Sequence, residues 1–339
     1  MSTELPSISV VICCYNSAPR LPKTLRYLQA QETLAQLEWE LIVVNNASTD
    51  DTTAVAEALW AKKPIAPLRV VDEPKPGLSH ARSRGAAEAQ HAIIALVDDD
   101  NGVPPHWLRT VAEVFRDHAE VGVVGGPTTE DCEIDPPSWF QTFKGHYAVY
   151  AVDSPGGLVE QAVCGAGLCF RKAAWEDLLA AGYEGVLSDR KGKSLSSGGD
   201  VETCAALRLA GWKIWYEPRL LIEHFIPAER LNWDYLSRLN SGFGKQSVYL
   251  DAYYALLPGF SQGGSASASW VLEWLKAAKA LLALAPQVCL RREQEGRAAY
   301  LVWKSQCARL KTLWQEKGKV TRLRQRLANA PWNKLTRSD

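Results

Sequence analysis

Five continuous apolar runs, at residues 8–15, 40–45, 68–71, 92–97 and 121–124, alternate with stretches of helical character at 19–31, 51–62, 78–90 and 105–118. A strand that reads as an unbroken apolar run is buried on both faces, and strands separated by single helices pair in parallel because the helix carries the chain back across the sheet. The pattern predicts an α/β fold, with a Rossmann-like sheet wound by helices over residues 7–130. With 47% apolar and 22% charged residues over 339 positions, the chain can bury one large core or two modest ones, and disorder throughout is excluded.

Sheets of this kind bind ligands outside the carboxyl ends of their strands, near the point where strand order reverses. Those ends carry Tyr15 and Asn16, then Asn45, Asn46 and Ser48, then Asp72 and Glu73, then Asp98, Asp99 and Asp100. The acid trio is the strongest chemical signal. While the chain stays extended, residues two apart point to one side, so Asp98 and Asp100 can face one cleft. Burying three carboxylates without a cation costs several kcal/mol, on the order of the desolvation of each ion. Their hard oxygens suit Mg²⁺ or Mn²⁺, ions that keep positions open for phosphate oxygens. A solvated acidic turn is the competing reading.

Two further residues fit that chemistry. Ser197-Gly198-Gly199-Asp200-Val201-Glu202 delivers Asp200 to the start of a helix expected over 201–210, where it either caps the helix or acts as a general base. His224 closes a strand-like stretch at 213–225, broken at Pro218, and reads either as a core histidine or as a metal ligand that would favour Mn²⁺. Gly77 to Arg82 opens a helix with basic residues, which suits an anionic ligand. Gly192-Lys193-Ser194 imitates the end of a phosphate-binding loop. The glycine that loop requires falls at Leu187 and no strand precedes it, which excludes an ATPase.

Residues 131–157, rich in Pro, Gly and aromatics, read as a long irregular connection. A short strand at 168–170, a helix at 172–181 and a polar loop at 188–199 follow, and a Gly- and Ser-rich linker is expected at 259–269. The remainder is helical, with Trp270, Trp274, Trp303 and Trp314 among basic residues. From 265 to 339 fifteen Lys and Arg stand against five Asp and Glu, although the whole chain is neutral. Glu273, Lys276, Lys279 and Pro286 interrupt the apolar window 270–290, which predicts an interfacial amphipathic helix rather than a spanning one. The eight cysteines form no CxxC pair and read as reduced thiols, which, with no secretory pattern in the first residues, points to the cytoplasm.

Together these segments resemble glycosyltransferase family 2, inverting enzymes of the GT-A fold. Val10 to Asn16 is similar to that family's first strand, Ile42 to Asp50 to its second strand and turn, and Pro76 to Gly85 to its Gly-Leu-Ser-x-Ala-Arg helix, in the family's order over about residues 7–250. The resemblance implies a nucleotide-sugar site of Tyr15, Asn16, Asn45, Asn46, Arg82, Asp98, Asp99 and Arg230, with Arg238 near it. It also implies Mn²⁺ or Mg²⁺ at Asp100 and His224, and Asp200 as catalytic base. Asn45, Gly167 and Gly199 depart from the family pattern, which leaves the base, the acceptor contacts and the residue before the catalytic Asp open.

The expected organisation is a GT-A catalytic domain over 1–258, nucleotide-binding to about 130 and acceptor-binding from about 131, followed by a basic helical extension over 259–339. The implied reaction is sugar transfer from a nucleotide-sugar donor to a saccharide or lipid-linked acceptor in polysaccharide or cell-envelope glycan biosynthesis. The implied location is cytoplasmic, peripheral at the inner face of the membrane through the C-terminal helices, with no nucleic-acid partner. A sugar-phosphate nucleotidyltransferase and a silent nucleotide-sugar-binding protein are the rival readings.

Overall fold

A computed structural model describes residues 4–335 except 33, 35, 153, 164, 188, 190–196, 260–269 and 291–292. All but Gly259 of the linker expected at 259–269, most of the loop at 188–199, the Gly192-Lys193-Ser194 triplet and Cys164 lie outside the described residues. In chain order the strands are β1 (Ile8–Cys14), β2 (Trp39–Asn45), β3 (Leu68–Asp72), β4 (Ile93–Asp98), β5 (Asn101–Gly102), β6 (Val121–Gly125), β7 (Thr128–Cys132), β8 (Gly157–Val159), β9 (Cys169–Arg171), β10 (Lys213–Tyr216) and β11 (Ile222–Ile226). The helices are α1 (Leu21–Gln29), α2 (Thr52–Trp60), α3 (Leu78–Glu88), α4 (Trp107–Asp117), α5 (Phe140–Phe143), α6 (Lys172–Ala180), α7 (Gly199–Leu209), α8 (Trp233–Tyr254), α9 (Trp270–Cys289), α10 (Ala298–Gln315) and α11 (Lys317–Ala328).

The chain divides into two compact units. The first, residues 1–131, 148–180 and 212–225, holds the sheet. Among the described residues the strand order is β3-β2-β1-β4-β9-β6-β10-β8. β2 and β4 flank β1 in parallel, from Ile8↔Trp39 and Ile8↔Ile93 to Cys14↔Asn45 and Cys13↔Asp98. That register brings Tyr15, Asn45 and Asp98 to one edge of the sheet, and the crossover from β1 to both neighbours makes this edge the natural crevice. The core is what the apolar runs require: Val10, Ile12, Leu41, Val43, Ala95 and Val97 are buried. Helix α4 covers it with Trp107, Leu108, Val111, Ala112 and Phe115, the 3.6-residue stripe that one helical face presents.

One expectation about the sheet needs correction. It is mixed, because β9 enters antiparallel between β4 and β6. The break expected at Pro218 divides the stretch 213–225 into two strands, which lie in two sheets. β10 extends the large sheet, whereas β11 pairs antiparallel with β5 in a small sheet of order β5-β11-β7. Pro218 has no N–H to offer a ladder, and the turn there closes with the Leu220 N–H on the Glu217 carbonyl.

The second unit, residues 132–147, 181–211 and 226–339, is mainly helical among the described residues. Its centre is α8, 22 residues long and started by Asn232, whose side chain accepts the Tyr235 N–H at 2.8 Å. No element was expected at 226–254, for a physical reason: Ser237, Asn240, Gly242 and Gly244 take buried positions of the helix, which interrupts its apolar stripe with poor helix formers. At Gly244 an added Cβ would meet the Ser305 carbonyl at 2.0 Å, so the glycine permits backbone contact with α10. Helices α9 and α11 pack in the same unit, with Val248, Leu313 and Val320 forming one buried cluster. Among the described residues, no helix is long and apolar enough to cross a membrane.

Candidate functional site at the carboxyl edge of the sheet

The loops leaving β1 and β2 are stapled to each other. Asn16, left-handed at φ 49°, accepts the Thr49 N–H on its side-chain oxygen at 2.8 Å, and its own N–H donates to the Ser48 hydroxyl at 3.0 Å. Asn45 donates to Asp72 at 2.9 Å and accepts the Ser48 N–H at 3.3 Å, which ties β2 to the end of β3. Asn46 is buried; its amide donates to the carbonyls of Glu73 and Lys75 and accepts the Gly77 N–H, all within 2.9 Å. That side chain is engaged by the backbone leading into α3. Tyr15 is 58% exposed at the rim.

The acid trio divides its tasks. Asp99 accepts from Arg20 at 2.7 Å, an arginine 79 residues away that no sequence motif marks. Asp98 lies 3.9 Å from Arg82 on α3. Desolvation by burial pushes the Asp98 carboxyl up to about 6; Asp100 and Asp99 add repulsion, while Arg82 and His224 oppose the shift. Asp100 Oδ1 stands 4.0 Å from His224 Nε2, with both side chains largely buried. The small sheet creates this approach, since His224 on β11 pairs with Asn101 on β5, the residue next to Asp100.

Directly paired residues of an antiparallel ladder project from one face, so Asn101 and His224 share a face of the small sheet. Asn101 is buried, and neither polar atom of its amide has a hydrogen-bond partner. An unmade bond at a buried amide costs about 1–3 kcal/mol. Asn101 follows the acid trio directly, but in sequence it carries no charge that marks it as part of the site.

Among the described residues no group of three or more His, Cys, Asp and Glu side chains is arranged to hold a metal ion. The Asp100 and His224 pair nevertheless fits one. Two ligands each about 2.1 Å from a shared ion can lie at most about 4.2 Å apart, and these donor atoms are 4.0 Å apart. A carboxylate oxygen with an imidazole nitrogen suits Mn²⁺, with the remaining positions left to phosphate oxygens.

Asp200 and Arg230 belong to the second unit. Asp200 lies in the first turn of α7, after the left-handed Gly198. Arg230 ends a short 3-10 turn, Ala228–Arg230, and its carbonyl accepts the Tyr147 hydroxyl at 3.0 Å. Arg238 on α8 lies over the Tyr235 ring, 5.8 Å from its centroid.

This edge, with its strand order and its acids after β4, matches a known family. The model described as glycosyl transferase family 2 covers residues 9–178, half of the chain. The chain belongs to that family. It is similar to glycosyltransferase AglE of Haloferax volcanii, 32% identical over 126 residues, 37% of this chain and 40% of that one. It is also similar to the glucosyl-dolichyl phosphate glucuronosyltransferase of the same organism, 24% identical over 73% of this chain and 78% of the relative. Among solved structures, the mannosyltransferase PcManGT from Pyrobaculum calidifontis, in complex with GDP-Man and Mn²⁺, superposes with a TM-score of 0.56 at 19% identity, over 93% of this chain and 89% of that one. The family 2 chain thus has the GT-A fold that the resemblance implied.

Proposed function

We propose that this family 2 chain is an inverting, metal-dependent hexosyltransferase that moves a sugar from a nucleotide-sugar donor to a saccharide or lipid-linked acceptor in polysaccharide or cell-envelope glycan biosynthesis. The observation that carries this reading is the 4.0 Å approach of Asp100 to His224 at the carboxyl edge of β4. PcManGT, solved with GDP-Man and Mn²⁺, and the glucuronosyltransferase relative support it. Asp100 and His224 would hold Mn²⁺ or Mg²⁺, which when bound neutralises charge on the departing diphosphate. Arg82 and Arg230 would bind phosphate oxygens by charge-assisted hydrogen bonds. Tyr15 and Asn45 would face the nucleoside, and Asn16 and Asn46 would hold the loops around it. Asp98 would line the diphosphate pocket, and Asp99 would fix the trio through Arg20. Asp200 would remove the proton of the attacking hydroxyl as that oxygen approaches the anomeric carbon opposite the diphosphate, inverting the configuration.

The same reading assigns residues 1–258 to catalysis and the basic helices beyond to peripheral contact at the inner, cytoplasmic face of a membrane. Leu272, Leu275 and Leu282 on α9 are exposed beside Lys276 and Lys279, while Glu273 binds Arg309 of α10 on the inner side at 2.9 Å. Exposed leucines flanked by lysines suit the boundary of an anionic bilayer. The test is a panel of UDP- and GDP-sugars with Mn²⁺ or Mg²⁺, read as nucleoside diphosphate released. The account expects one donor to be consumed, and Asp200→Asn to bind it without transfer. Inorganic diphosphate released from a nucleoside triphosphate would point to a nucleotidyltransferase, and binding without turnover on any acceptor to a silent protein.

A further inference from the structure

Helix α7 begins without a cap of its own. The residue before it, Gly198, is left-handed at φ 110° and makes no side-chain cap hydrogen bond. The acceptor comes from ten residues upstream: Asp189, only 4% exposed, takes the Gly199 N–H on Oδ1 at 2.8 Å. Its carboxylate also fills the space beside Gly199, where an added Cβ would lie 2.4 Å from Oδ2. A second buried carboxylate works in the opposite direction. Glu202, in the same turn as Asp200 and 1% exposed, takes the N–H groups of Val186 and Leu187 at 2.8 Å each and the Tyr253 hydroxyl at 2.5 Å.

Residues 186, 187 and 189 are therefore joined to the first turn of α7 by two carboxylates, one from each side. Buried carboxylates are costly unless their hydrogen bonds are made, and here the donors are backbone N–H groups that hold the turn in place. A free helix N-terminus frays, and a displacement of about 1 Å at a reacting group can cost on the order of 100-fold in rate.

Resting on the reading of Asp200 as the base, we infer that Asp189 and Glu202 are positioning residues that clasp the first turn of α7 and so fix the Asp200 carboxylate. The clasp also explains the glycine at 199: the place a side chain would take there belongs to Asp189.

The experiment uses the full chain, with a donor chosen from UDP-glucose, UDP-N-acetylglucosamine and GDP-mannose by calorimetric binding in Mn²⁺, and its hydrolysis by water as the probe reaction. Asp189→Ala lowers kcat about 10- to 100-fold with donor KM changed less than about two-fold, as expected for a misplaced base. Asp189→Asn, whose amide oxygen accepts the same N–H, restores most of the rate. In the donor-free protein, amide hydrogen exchange at 199–202 rises in Asp189→Ala and not in Asp189→Asn. Should Asp189→Ala not fold, Gly199→Ala, which presses a Cβ against the same carboxylate, shows the same kcat-specific loss. An unchanged kcat and unchanged exchange, a loss shared equally by KM, or no rescue by Asp189→Asn overturns the clasp. Wild-type turnover in Asp200→Asn would instead overturn the base reading beneath it, whatever the clasp variants do.

Discussion

The two ends of one sheet treat buried acid in opposite ways. At the amino end, Glu40 is 4% exposed and fully engaged, accepting from Ser9 at 2.7 Å, from Arg69 at 3.0 Å and from the Gln90 N–H at 2.9 Å. Burial alone would raise its carboxyl, but the Gln90 N–H, the Ser9 hydroxyl and Arg69 together hold it below the usual range. At the carboxyl end, Asp98 is pushed up to about 6 by burial and by its neighbours Asp100 and Asp99, despite Arg82 and His224. The amino end therefore favours its carboxylate ionised, whereas the carboxyl end opposes ionisation of Asp98, whose side chain is still 34% exposed. A carboxyl whose surroundings oppose its ionisation, set at the carboxyl edge of such a sheet, is a candidate for a binding site.

The sharpest way to break this comparison is Asp100→Ala, which should lower nucleoside diphosphate release about 100- to 1000-fold, the scale of removing one charge-stabilising contact, and leave thermal stability nearly unchanged. Glu40→Ala should do the reverse. Chemical denaturation should show a loss of about 3 kcal/mol, the lower end for breaking a buried pair, because Arg69 keeps Glu88 at 3.0 Å. The rate per folded molecule should stay at wild type. In acid the wild type should lose the Glu40 contribution as pH falls below about 4.3 and through the lower folded value, and Glu40→Gln should show a shallower decline over that window. The smallest effect belongs to Asp98→Asn. With its folded value raised to about 6, Asp98 favours the fold only while protonated, and that contribution is lost as pH rises through that value. The Asn variant should melt slightly higher than wild type at pH 7 without ligand and bind donor less well; a lower melting temperature would count against opposed ionisation at this edge.

The sequence made the sheet legible because its strands are buried on both faces: β1, β2 and β4 read as unbroken apolar runs, and the acid trio stood where β4 ends. What stayed hidden depended on long-range contact. Arg20 meets Asp99 across 79 residues, and the small sheet that sets His224 against Asn101 uses a two-residue strand too short for any period. Helix α8 escaped because Ser237, Asn240, Gly242 and Gly244 stand at its buried positions and break the apolar stripe that marks a helix. The role of Asp189 could not be read from spacing, since it reaches the start of α7 from outside the helix. The departure at Gly199 was visible in the sequence, but its reason is steric.

In the proposed function, the acids after β4 hold a divalent ion against a leaving diphosphate. A crystal soaked with the preferred nucleotide sugar and Mn²⁺, with the ion located by anomalous scattering, tests it directly. The account predicts Mn²⁺ within about 2.2 Å of an Asp100 oxygen and of His224 Nε2, and also bound to both phosphates of the donor. A diphosphate seated elsewhere, with Asp100 and His224 still facing each other and no ion between them, would contradict it.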